Sequence, residues 1–232
     1  MGHKILSTKT LNASVKTQLE QNGFMLIEKD FIAIKNAINS HSVKKIHTIS
    51  DGDVVIFTSA NAVEIVKDLL DHDINIKVFC ISGKTRESIE TNFPKATIID
   101  VAPYGSELGK KIIATGIRRA IFFCGNIRRD ELPALLQQNN ITVDEHIVYN
   151  TIQTPRQISE CYDAILFFSP SAVKSFFAVN ELNSDAICFS IGTTTAAEIE
   201  KYAGNKIIIA ETPTQETLAI QINKHFKKMV QS

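Results

Sequence analysis

Small polar residues stand directly behind two apolar runs of this sequence. Ser59 and Ser169 each follow such a run, and Asn61 and Ser171 lie two residues further along the chain. A serine between a strand and a helix can cap the helix by accepting a backbone N–H. Its hydroxyl can also donate a hydrogen bond to a ligand. Capping and ligand contact therefore stand as alternatives at both serines, and one residue can do both.

A glycine followed by hydroxyls forms another candidate binding segment. Gly192 precedes Thr194 and Thr195 at the predicted start of a helix. Two hydroxyls there can donate to a carboxylate, and the free N–H groups and positive dipole end of a helix start also favour anions. Threonine also caps helices, so a contact role for Thr194 or Thr195 competes with capping.

Positive charge follows two other apolar runs. Gly125, Asn126, Arg128 and Arg129 come after one run, and Lys9 comes after the other. A guanidinium can pair with a carboxylate in a bidentate manner, whereas a lysine is a point donor. The alternative for the two arginines is a solvated pair at a helix start.

One tyrosine is a candidate for acid–base chemistry. Tyr149 lies in a segment of strand-like alternation and is followed by Thr151. A phenol can protonate a leaving hydroxyl group, although its ordinary pKa near 10 does not force that role. The alternative is a strand aromatic that packs against Phe31 or Ile32 with its hydroxyl in water.

Composition excludes several classes of protein. The 232 residues include 25 Lys and Arg against 25 Asp and Glu, and a zero net charge argues against non-specific nucleic-acid binding. We expect no membrane span, because no window approaches eighteen consecutive apolar residues. With no signal peptide expected either, the prediction is a cytoplasmic protein, a monomer by default.

The four cysteines and six histidines do not predict a metal site. No cysteine pair has C-x-x-C spacing, and no histidine pair has H-x-x-x-H spacing. Three of the cysteines lie in or beside strand-like runs, so we interpret them as small core residues.

An internal repeat organises the chain. The segment DVVIFTSANAV begins at Asp53 and DAILFFSPSAV begins at Asp163, 110 residues later. The offset continues without a gap through Ile89 with Ile199 and Ile112 with Ile222. Such agreement over some sixty residues predicts two copies of one supersecondary arrangement.

Each copy alternates short β-branched or aromatic runs with stretches of helical period. This pattern predicts α/β domains with doubly wound parallel sheets, whose ligands bind beyond the carboxyl ends of the strands. The candidate residues above all fall at such ends or on Tyr149's segment.

The repeat is permuted, because the strand–helix unit that closes the second copy lies at the N-terminus. We therefore predict a discontinuous domain, 1–27 with 156–232, and a continuous domain of like topology, 44–144. The linking segments, 28–43 and 145–155, are predicted to pair as a two-stranded antiparallel β connector that lets the domains open and close about a cleft.

The ordered motifs resemble the uroporphyrinogen-III synthase family. They are FTSANAV, APYGSELG, FFCGNIRRDELPALL, VYNTIQT, ILFFSPSAV, IGTTTAAEIE and ETPTQETLA, and the resemblance extends from Lys4 to Phe226. Tyr149 matches the tyrosine of the family's Y-x-T pattern. The family often has arginine at the position of Lys9.

The resemblance implies an enzyme that needs no cofactor. Its substrate would be hydroxymethylbilane, an acidic linear tetrapyrrole with four acetate and four propionate groups. A lyase reaction in the inter-domain cleft would expel water, invert the last ring through a spiro-pyrrolenine intermediate and close uroporphyrinogen III. A non-catalytic two-domain binding protein, or a synthase paralogue without turnover, stays as the alternative.

Overall fold

A computed structural model describes residues 2–230 of the chain. The secondary-structure elements are, in chain order, β1 (Lys4–Ser7), α1 (Ala13–Gln21), β2 (Met25–Glu28), β3 (Ile32–Asn36), α2 (Ser40–Ile46), β4 (Val54–Phe57), α3 (Ala60–Val66), β5 (Lys77–Ile81), α4 (Lys84–Asn92), β6 (Thr97–Ala102), α5 (Gly105–Ala114), β7 (Arg119–Gly125), α6 (Glu131–Gln138), β8 (Thr142–Gln153), β9 (Ala164–Phe167), α7 (Pro170–Phe177), β10 (Ile187–Ser190), α8 (Thr193–Ile199), β11 (Ile207–Ile209) and α9 (Gln215–Val230).

The chain divides into two compact units, each with its own sheet. The terminal unit comprises Met1–Ala33 and Ile152–Ser232, and the central unit comprises Ile34–Thr151. One sheet has the strand order β11-β10-β9-β1-β2, and the other has the order β3-β8-β7-β4-β5-β6. When the repeat is used to match strands, β11-β10-β9-β1-β2 corresponds to β6-β5-β4-β7-β8, so the predicted like topology is confirmed.

The helices repeat the same arrangement. In the central unit α3 packs against α4 and α5 against α6, and in the terminal unit α7 packs against α8 and α9 against α1. The pairing of β1 with both β9 and β2 is parallel, as is that of β4 with β5 and β7. The predicted mixed α/β architecture with two parallel-dominated sheets is therefore confirmed.

Each sheet is buried on both faces by alternating side chains. On β4, Val55 and Phe57 join one hydrophobic cluster while Ile56 joins the cluster on the opposite face. On β9, Leu166 and Phe167 divide in the same way. Burial on two faces explains why these strands read as nearly continuous apolar runs.

Two elements extend beyond the segments that were predicted to link the domains. Helix α2 begins within 28–43, and Asn39 caps it by accepting the Ser42 N–H at 2.9 Å. Strand β8 extends over most of 145–155, and from Thr142 to Tyr149 it pairs in parallel with β7. The domain bounds and the antiparallel connector stay predictions.

The N-terminal helix offers a test of how the terminal unit is held together. Leu19 on α1 is fully buried in a cluster with Leu218 and Ile222 of α9. Leu19→Ala should lower the free energy of unfolding by about 2–5 kcal/mol, measured by urea denaturation, because it leaves a cavity between the helices. The neighbouring exposed Glu20→Ala should change it by less than about 0.5 kcal/mol. Equal effects of the two changes would contradict this packing.

Candidate functional site

A cavity of about 290 Å³ opens at the carboxyl ends of the strands of the central unit. The predicted residues Ser59, Gly125, Arg128, Arg129 and Tyr149 all line it. The other lining residues are Thr58, Ile81, Pro103, Tyr104, Gly105, Phe122, Ile127, Glu131 and Leu132. The cavity thus lies at the edge where doubly wound sheets bind their ligands.

Tyr149 reaches the cavity through close packing on a glycine. A register shift between Cys124 and Gly125 places Gly125 opposite Tyr149 on the neighbouring strand. A Cβ atom added at Gly125 would lie 2.4 Å from Tyr149 Cζ and 2.8 Å from the phenol oxygen. The absence of a side chain at position 125 therefore allows the tyrosine ring to lie where it does.

Asn126 holds the backbone on either side of this ring. Its N–H donates to the Tyr149 carbonyl at 3.0 Å, and its Oδ1 accepts the Thr151 N–H at 2.8 Å. The predicted binding residue Asn126 thus has a structural role next to the tyrosine.

Tyr149 is 8% exposed and belongs to a hydrophobic cluster of the central unit, with Phe57 and Phe123. Phe31, its partner in the alternative interpretation, belongs to a cluster of the terminal unit. Tyr149 therefore combines a packed ring with a place in the cavity wall.

Arg128 lines the cavity as a member of an ion-pair network. Its Nε donates to Glu145 Oε2 at 2.5 Å, and its Nη1 donates to Asp130 Oδ1. Burial lowers the pKa of Arg128, but the hydrogen bonds to Asp130 and Glu145 outweigh that effect, and the pKa lies above its ordinary value. A ligand carboxylate must therefore compete for a guanidinium that already pairs with two carboxylates.

The other predicted cations are placed differently. Arg129 is exposed at the cavity, next to Arg128 in the chain. Lys9 is exposed in the terminal unit, where its N–H lies 3.4 Å from Ser7 Oγ.

The two predicted serines both cap helices. Ser59 accepts the Asn61 N–H at 3.2 Å at the start of α3, and Ser169 accepts the Ala172 N–H at 3.1 Å at the start of α7. Capping uses an oxygen lone pair and leaves the hydroxyl proton to donate elsewhere. The caps are thus consistent with both alternatives for Ser59 and Ser169.

The remaining predicted residues are Asn61, which is exposed on α3, and a group in the terminal unit. Gly192 precedes α8, and Thr195 is buried whereas Thr194 is exposed. Ser171 is half-buried on α7. Exposure favours Thr194 over Thr195 as the hydroxyl that meets a ligand.

Sequence reasoning missed several cavity residues. Tyr104 belongs to the APYGSELG motif, so its place behind a predicted strand was a usable signal. Glu145 contacts the cavity residue Arg128 without lining the cavity, and it gave no such signal. A charge on an alternating strand is ordinary, and this contact arises only from strand pairing.

The described residues contain no group of three His, Cys, Asp or Glu side chains that could hold a metal ion. Within the same part of the chain, no helix is long and apolar enough to cross a membrane. Three of the four cysteines are buried, and burial raises the pKa of Cys188 to about 12, consistent with inert core thiols.

Comparison with known proteins identifies the family. The family model described as uroporphyrinogen-III synthase HemD matches residues 13–220. The chain belongs to the uroporphyrinogen-III synthase family.

Solved structures of uroporphyrinogen-III synthases have the same fold. The enzyme from Helicobacter pylori matches with a TM-score of 0.68 and 16% identity, covering 97% of this chain and 99% of that one. A mutant enzyme from Thermus thermophilus matches with a TM-score of 0.67 and 14% identity, covering 98% of this chain and all of the other. These likenesses support the fold assigned above.

The contact between Gly125 and Tyr149 can be tested by adding one methyl group. Gly125→Ala should lower the free energy of unfolding by about 1–3 kcal/mol, because the new Cβ would overlap the tyrosine ring. Gly204→Ala is the matched control, since nothing lies within 4 Å of its added Cβ. Tyr149→Ser in the Gly125→Ala background should abolish the penalty of the methyl group. A penalty that persists in this double variant would contradict the contact.

Proposed function

We propose that this protein converts hydroxymethylbilane into uroporphyrinogen III as a lyase. Membership of the uroporphyrinogen-III synthase family supports this proposal and assigns the protein to haem biosynthesis. In the reaction, the hydroxymethyl C–O bond breaks, water leaves and a new C–C bond closes the macrocycle. The last ring is inverted through a spiro-pyrrolenine intermediate. The balance is a dehydration with no net redox change, so it calls for no oxidant or reductant.

The observation that carries the proposal is the combination of a phenol and two guanidinium groups in one cavity. Tyr149, Arg128 and Arg129 all line it. Because 290 Å³ is at the lower limit of small-molecule sites, this cavity would take part of the tetrapyrrole rather than all of it.

Tyr149 is the proposed general acid. Its phenol would donate a proton to the departing hydroxyl group, which then leaves as water. The electron-rich pyrrole itself expels the leaving group, so the protein's other contribution is to hold the bilane with the closing carbon poised for attack.

The proposed binding residues are those that would contact the carboxylates of the substrate. Arg128 and Arg129 would pair with them in the central unit, together with Ser59, Asn61, Gly125 and Asn126. In the terminal unit the proposed contacts are Lys9, Ser169, Ser171, Gly192, Thr194 and Thr195. Backbone N–H groups would supply much of this binding, which suits a chain of zero net charge.

The product isomer tests the proposed function. Purified protein incubated with freshly prepared hydroxymethylbilane should yield the type III isomer, identified by chromatography after oxidation. A non-catalytic binder would leave only the type I isomer that forms spontaneously, and this result would refute the proposal.

Tyr149→Phe tests the proposed acid. We expect kcat to fall on the order of 100-fold, because the proton donor is lost, while the free energy of unfolding changes by less than about 1 kcal/mol, because the ring is kept. Tyr202→Phe is the control, since Tyr202 is a half-exposed tyrosine of the terminal unit that stacks on Phe177. An unchanged kcat in Tyr149→Phe would remove Tyr149 from catalysis.

A further inference from the structure

Two carboxylates hold the Arg128 guanidinium, and they differ in how firmly they are placed. Glu145 belongs to β8, which pairs with β7 from Thr142 to Tyr149, and its side chain is 29% exposed. Asp130 precedes α6, and its side chain is 90% exposed. One partner of Arg128 is thus fixed in a sheet, and the other lies in solvent.

Asp130 contributes little else to the local structure. It stands at the N-cap position of α6, but its side chain makes no capping hydrogen bond and its backbone is helical. Its carboxylate can therefore leave Arg128 without uncapping the helix. An exposed ion pair of this kind is weak, because water screens both charges.

We propose that Asp130 occupies on Arg128 the position that a carboxylate of the substrate takes on binding, and that Glu145 is a positioning residue which holds the guanidinium at the cavity. This inference rests on the proposed function. It adds a subsite in which an internal carboxylate is exchanged for a substrate acetate or propionate.

The charges at Arg128 explain why a substrate carboxylate would displace Asp130 rather than bind in addition to it. Glu145 and Asp130 together already exceed the single positive charge of Arg128. A third carboxylate at the same guanidinium would meet net repulsion, whereas displacement of Asp130 keeps the number of ion pairs constant. Asp130 is the partner that moves, since Glu145 lies within a paired strand.

Removing the competitor should strengthen substrate binding. Asp130→Asn should lower KM for hydroxymethylbilane about two- to fivefold with kcat unchanged, the range expected for an exposed ion pair. Asp130→Ser should act in the same direction and guards against a folding defect in one variant. The dissociation constant of uroporphyrin, an unreactive macrocycle with eight carboxylates, should fall by a similar factor in a fluorescence titration.

A double-mutant cycle separates this exchange from a general change in charge. In the Arg128→Gln background, Asp130→Asn should no longer change KM or the uroporphyrin dissociation constant. Asp100→Asn is the matched control: it removes an exposed carboxylate that pairs with Lys111 at 2.7 Å in the same unit and should leave both constants unchanged.

The proposed role of Glu145 is tested by whether its removal raises or lowers KM. Glu145→Ala removes a negative charge, which by simple electrostatics would improve binding of an acidic substrate. As a positioning residue it should instead raise KM about tenfold, the loss of one charged hydrogen bond. Glu145→Gln, whose amide oxygen still accepts from Nε, should restore most of the binding.

The inference fails if Asp130→Asn leaves KM and the uroporphyrin constant unchanged or raises them, if its effect persists without Arg128, or if Glu145→Ala lowers KM. A different result would refute the proposed function: the wild-type protein would then give only the type I isomer. The uroporphyrin titration still decides the exchange in that case.

Discussion

Parallel pairing of the strands is the constraint on which the rest of this structure depends. Strands that run parallel must be joined by crossover helices, which cover both faces of the sheet and bury it. The same pairing brings the carboxyl ends of these parallel strands to one edge of each sheet. The loops that follow the strands meet at that edge, and the cavity with Tyr149 and Arg128 forms there.

Within the sheet of the central unit, the glycine at position 125 makes room for the tyrosine ring of the site. The register shift before Gly125 brings it opposite Tyr149, and the lack of a Cβ lets the ring lie against the strand. The same pair of strands brings Glu145 to Arg128, 17 residues earlier in the chain. The proposed acid and the proposed carboxylate-binding residue are thus positioned by one strand pair, β7 and β8.

Sequence reasoning was effective where the pattern is local. Short β-branched or aromatic runs identified β4 and β7. The strand–helix unit that was predicted at the N-terminus is β1 with α1, and Asn22 and Gly23 end that helix. The prediction missed α2, which has little apolar periodicity, and the length of β8, whose Asp144, Glu145 and His146 obscure its alternation. The Arg128–Glu145 pair depends on register across two strands, which no local pattern encodes.

The central claim is that a tetrapyrrole binds at the carboxyl edge of the central sheet. Hydrogen exchange of the whole protein, with and without uroporphyrinogen III, tests it most directly. We expect slower exchange at residues 103–107 and 125–131 when the product is bound, and unchanged exchange in the loops at 48–53 and 116–118 on the opposite edge. Protection confined to the opposite edge, or none at 125–131, would contradict the account.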